Sequence, residues 1–182
     1  MNLGYSPFLL LVFTLFESCM KPAEALKESA GEKWIPAIYR DKVRSLRTRS
    51  FHLGITARKS DPEVLYTLLG IELKAGRTRI SCPDLSTARY LRVFTRIGVA
   101  EIAIPYDISK IAALADELES SWQHTLLLLE TSEKGKNKAV QSRARSALIK
   151  LMRDEINAIG AGAAMPEFKQ TTKQQKYHQN KK

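Results

Sequence analysis

The sequence predicts an α/β or α+β fold. It reads as one helix-dominated domain with a small sheet (strands near 77–82 and 99–105), a C-terminal helical hairpin and a disordered basic tail. Three observations carry that expectation. Hydrophobic residues fill 44% of the 182 positions, enough for one domain of ordinary size plus tails. Apolar residues recur at helical spacing over 85–97, 108–131 and 138–159. Two short segments, 77–82 and 99–105, show strand patterning instead. The domain limits follow: 1–33 is an N-terminal apolar segment and linker, 34–160 the globular domain, and 161–182 the tail.

The apolar run Phe8 to Phe16 is nine residues long, against roughly 20 for a helix that crosses a bilayer. No stable transmembrane span is expected. A cleaved leader over 1–25 is one account, because Ala23-Glu24-Ala25 has the small-x-small form of a cleavage site. A start at Met20 is another: no Lys or Arg precedes the run, and Glu17 and Lys21 follow it. A third keeps the run as a membrane-touching or core segment. Cys19 and Cys82 are the only cysteines and allow no disulfide framework, which points to a reducing compartment. A cytoplasmic location is expected, with export as the alternative if 1–25 are removed.

Residues 21–33 are polar and rich in Ala and Glu, reading as a frayed helix or linker, and Trp34-Ile35-Pro36 is the first anchor on a core. An amphipathic helix is expected over 37–49, with Ile38, Tyr39, Val43 and Leu46 on its apolar side and Arg40, Lys42, Arg44, Arg47 and Arg49 around the rest. Ser60-Asp61-Pro62-Glu63 has the form of a helix start: a capping hydroxyl, a proline in the first turn and an acid three residues after the cap. The expectation is a helix over 61–70, with Val64, Leu65, Leu68 and Leu69 on one face and Gly70 ending it. A hairpin or single strand follows. In 77–82, Thr78, Ile80 and Cys82 point one way and Arg77, Arg79 and Ser81 the other.

Pro83-Asp84 opens a helix that Gly98 closes. Counting 100° per residue from Leu85, Arg89, Arg92 and Arg96 fall at about 40°, 340° and 20°, a narrow stripe opposite Tyr90, Leu91, Val93, Phe94 and Ile97. Val99 to Pro105 is a strand that Pro105 stops. If the strands at 77–82 and 99–105 are parallel neighbours, the crossover between them is right-handed. Helix 61–70, then the helix beginning Asp84-Leu85-Ser86-Thr87-Ala88-Arg89-Tyr90-Leu91-Arg92, a Gly and a strand resemble the recognition-helix-then-wing order of winged-helix DNA-binding domains. Asp107 caps a long helix over 108–131, a turn centred on Gly135 follows, and 138–159 is the second arm of a helical hairpin. On that reading the acids of 116–133 attract the bases of 134–153.

Charge is segregated along the chain. Lys plus Arg minus Asp plus Glu is −1 over 1–39, +6 over 40–59, −4 over 60–133 and +9 over 134–182. Such blocks favour a polyanion, since each phosphate neutralised releases a counterion. The expected function is non-catalytic binding of DNA or RNA through the phosphate backbone, by Arg40, Arg44, Arg47, Arg49, Arg77, Arg79, Arg89, Arg92 and Arg96. The Lys- and Gln-rich run Lys169 to Lys182 is too polar to pack on its own and suits non-specific contact with the same partner.

Two other classes remain. A protein-interaction or assembly factor would use the leucine-rich helix 108–131 against a partner. Asp61 followed eleven residues on by Glu72-Leu73-Lys74 resembles the metal-binding core of restriction-type nucleases, which implies two carboxylates on Mg²⁺ and a lysine beside the attacking water. His52, His124 and His178 stand at no chelating spacing, and phosphate-cradling glycine loops and nucleophile elbows are absent from the sequence. No metal or cofactor is therefore expected, and no enzymatic activity.

Overall fold

The structure, a computed structural model, describes residues 23–54 and 61–162. The apolar run at 8–16, the Ser60 cap and the basic tail at 169–182 lie outside the described residues. Among the described residues all strand pairing is antiparallel, so the architecture is α+β.

Residues 23–30 form a helix, α1, whose Ala23, Leu26 and Ala30 recur every third or fourth position and join the core. The folded unit thus reaches back past the expected boundary at 34. Trp34 follows, buried, with its indole N–H donated to Glu155 Oε2 at 2.7 Å. A short helix α2, Ile35–Ile38, runs into a π-helical turn, Tyr39–Val43. The chain then straightens into strand β1, Thr48–His52, whose first two residues fall at the end of the helix expected over 37–49. Its partner explains the change, because Thr48 to His52 pair residue by residue with Pro105 to Glu101 of the strand Glu101–Pro105. A ladder formed across fifty residues outweighs the local helical pattern.

The helix expected over 61–70 is also strand. Strand β2, Glu63–Thr67, pairs with β3, Gly70–Ala75, which pairs with β4, Thr78–Cys82. Val64, Leu73 and Ile80 face one another across this meander and turn inward onto the core. Val64, Tyr66 and Thr67 are good strand formers, and Gly70, at φ 119°, supplies the turn that a helix would have used as a stop. As a result Leu68 and Leu69 are fully exposed at the hairpin tip rather than buried. With a strand at this position the helix–helix–wing order of a winged-helix domain is not formed.

Helix α3, Leu85–Ile97, appears where its caps predict. The Asp84 carboxylate accepts from the backbone N–H and the hydroxyl of Thr87 at 2.7 and 2.9 Å. Gly98, at φ 86°, ends it, and an added Cβ there would lie 2.8 Å from Arg153 Nη2. Arg153 in turn donates to the Ile97 carbonyl, one of the acceptors that a helix end leaves unsatisfied. The last strand, β5, Glu101–Pro105, belongs with β1 and not with β4, so the two strands expected to be neighbours lie in separate sheets.

Two tyrosines lock β5 in place. The Ala103 N–H donates to the Tyr39 hydroxyl at 2.9 Å, Tyr39 donates to the Gly160 carbonyl at 3.0 Å, and Tyr90 donates to the Ala103 carbonyl at 2.7 Å. Both rings pack on Phe94 with centroids 5.4 and 5.0 Å away. Helix α4, Ile108–Ser132, is capped by Asp107 and buries Ile111, Leu114, Ala115, Leu118 and Trp122 against the core. Helix α5, Lys138–Ile159, is capped by Asn137 and buries Ala144, Leu148, Met152 and Ile156. Its first six residues, 138–143, are exposed on every side, so the basic arm stands off the body rather than pairing closely with α4.

Candidate nucleic-acid interface

The α3 arginines form the narrow stripe that helical geometry requires, but they face carboxylates rather than solvent. Arg89 donates from Nε and Nη2 to Glu119 Oε2 at 2.9 and 2.6 Å, and its Nη2 also reaches Asp116 Oδ1 at 2.8 Å. Arg92 donates to the other oxygen of Glu119. Arg96 grips Asp61 from Nε and Nη2 at 3.3 and 2.9 Å. The Glu119 carboxylate, through its hydrogen bonds, holds the Arg89 pKa above its ordinary value, and Glu119 itself is only 15% exposed. Three guanidiniums thus meet three acids, and the cluster adds little outward field.

The remaining expected residues are scattered. Arg40 pairs with its neighbour Asp41 at 2.8 Å, and Arg44 donates to the Thr48 hydroxyl at 2.9 Å. Arg79 donates to Glu72 at 3.2 Å on the outer face of the meander, away from α3. Arg77 is exposed in the β3–β4 turn. Arg47 lies over the Tyr106 ring, 5.3 Å from its centroid, and Arg49 is half-buried and lines a cleft to which Tyr106 also contributes. The nine arginines do not converge on a single face.

Each of the three residues of the nuclease-like pattern has a charged partner of its own. Asp61 is held by Arg96, Glu72 by Arg79, and Lys74 stands 3.6 Å from Glu63. Among the described residues no group of three His, Cys, Asp or Glu side chains could hold a metal ion.

A denser block of exposed bases lies outside the nine expected residues. From Lys134 to Lys150 the chain carries six bases, Lys134, Lys136, Lys138, Arg143, Arg145 and Lys150, and no acid. All six are exposed. Lys136 pairs with Glu133 at 2.9 Å. Of the acids over 116–133 expected to neutralise this arm, Glu133 does so at Lys136, whereas Asp116 and Glu119 are engaged by α3 and Glu117 by Lys42. The acid-free run itself was the signal available in the sequence.

Among the described residues no helix is long and apolar enough to cross a membrane. No family model, no curated protein and no solved structure matches this chain.

Proposed function

We propose that the protein binds nucleic acid without catalysis, through phosphate contacts made chiefly by the exposed arm of α5 and the turn before it. The observation that supports this most is the acid-free run of six exposed bases over 134–150. Phosphate recognition needs positive charge that is not already cancelled, and here Lys134, Lys138, Arg143 and Arg145 supply it. The tail from Lys169 to Lys182 adds five lysines to the same block of sequence. Arg47 and Arg77 contribute from elsewhere, whereas Arg89, Arg92 and Arg96 serve to bind α3 to its neighbours. The work takes place in a reducing compartment such as the cytoplasm, in keeping with a single described cysteine, Cys82, that is buried and free.

The test is fluorescence anisotropy with a labelled 20-nucleotide strand and its duplex, titrated from about 50 to 300 mM salt. Binding should weaken along a straight line on logarithmic axes. The variant Lys138→Glu/Arg143→Glu/Arg145→Glu should flatten that line by about three contacts. Absence of binding at 50 mM salt, or a slope untouched by the triple variant, would overturn the reading.

A second reading, as an interaction or assembly factor, draws on a different feature. Tyr66, Leu68 and Leu69 project from the β2–β3 tip at 72%, 106% and 93% exposure. The helix α4, expected to serve this role, spends most of its apolar face on the core and leaves Leu127 exposed. Binding to a protein through the tip would barely respond to salt.

A further inference from the structure

We propose that the cleft between β1, β4 and the starts of α3 and α4 receives one unstacked base of a single-stranded nucleic acid. This rests on the reading above and names the form of nucleic acid preferred.

The cleft encloses about 240 Å³. That is below the roughly 300–1,000 Å³ of pockets for larger organic ligands, and it suits a single ring system. Its inner surface is apolar, built by Phe51, Leu91 and Ile104, while Arg49, Ser81 and Tyr106 stand at its edge. Tyr106 is 47% exposed, and its backbone N–H is tied to the Arg47 carbonyl at 3.1 Å. The Arg47 guanidinium lies over the ring. The nearest carboxylates along the chain, Asp84 and Asp107, are turned onto the first turns of their own helices and accept from Thr87 and Ser109. They are thus not directed at an incoming phosphate.

Each half of this arrangement excludes a simpler ligand. A bare phosphate gains nothing from the apolar floor, and an apolar group gains nothing from Arg47. A base with its phosphate uses both: the ring enters against Phe51 and Leu91, its neighbour stacks on Tyr106, and the linking phosphate meets Arg47. A base within a duplex is stacked on both faces and cannot enter, so the cleft selects single strands.

The experiment compares the full-length protein on a labelled oligo(dT) strand, a blunt duplex with the same number of phosphates, and thymidine monophosphate as competitor, at one salt concentration. The strand should bind about tenfold tighter than the duplex, and Tyr106→Ala should remove that advantage while duplex binding stays unchanged. Ile108→Trp, which crowds the mouth from a position that is 61% exposed without altering charge, should do the same and guards against a folding defect in the first variant. Equal affinity for strand and duplex, with both variants neutral, would sink the cleft proposal and leave phosphate binding standing. Failure to bind either would sink both. Complete displacement by micromolar monophosphate would replace the strand with a free nucleotide as the occupant.

Discussion

The clamp of two arginines on Glu119 makes a quantitative demand on stability. In Glu119→Gln the amide keeps the shape but loses the charge, leaving Arg89 with Asp116, which is 67% exposed, and Arg92 without a carboxylate. Removing one partner of a fully buried pair costs about 3–5 kcal/mol, whereas exposed pairs are worth about 0–1 kcal/mol. The side chains here are 32%, 28% and 15% exposed, between the two limits. A loss of about 2 kcal/mol is expected, or about 6–8 °C in melting temperature for a domain of this size. Urea unfolding followed by tryptophan fluorescence is a suitable assay, because Trp34 and Trp122 are both buried. A double-mutant cycle with Arg92→Met should give a coupling above about 1 kcal/mol. A change under about 0.5 kcal/mol would refute the assignment of these arginines to packing. They would then count as solvated charges, and the exclusion of α3 from the interface would fall with them.

Three further outcomes follow from the core. Tyr39→Phe deletes a hydroxyl that bridges the Ala103 N–H and the Gly160 carbonyl, and should cost about 1–3 kcal/mol in urea unfolding while Phe94 packing is kept. Burial raises the pKa of Tyr39 and Tyr90 above the usual tyrosine value, so the folded state holds these protons more tightly than the unfolded chain. The associated stability is fully present below about pH 10 and lost as pH rises further, so a pH series of urea midpoints should fall there, less steeply in Tyr90→Phe. Gly98→Ala combines φ 86° with contact at Arg153 and should lower the melting temperature more than Gly76→Ala, where φ is 62° and the space beyond is open.

Features that depend on near neighbours in sequence were legible, and those that depend on distant partners were not. The caps Asp84 and Asp107, the stop at Gly98 and the three long helices follow from short-range chemistry and appear at their expected places. The segment 61–70 carries an equally good helical start, yet forms strand because Val64 finds Leu73 and, beyond it, Ile80. Thr48 to His52 likewise become strand through β5. The interface shows the same division. The α3 stripe was predictable from periodicity, but Glu119 lies thirty residues beyond Arg89, and no local pattern reveals that the two meet. The α5 arm stands apart because its charge needs no partner to be read: seventeen residues without an acid remain basic in any fold.

The tyrosine lock on Ala103 also governs how this molecule behaves among others of its kind. A strand at the border of a sheet offers unpaired amides and carbonyls to any passing chain, and that template is a common origin of fibrils and swapped dimers. On the side of β5 turned from β1, the donor and acceptor of Ala103 are already satisfied by phenols anchored in the interior. Growth of the sheet in that direction would require two buried rings to let go first, so crowding alone does not recruit further strands there.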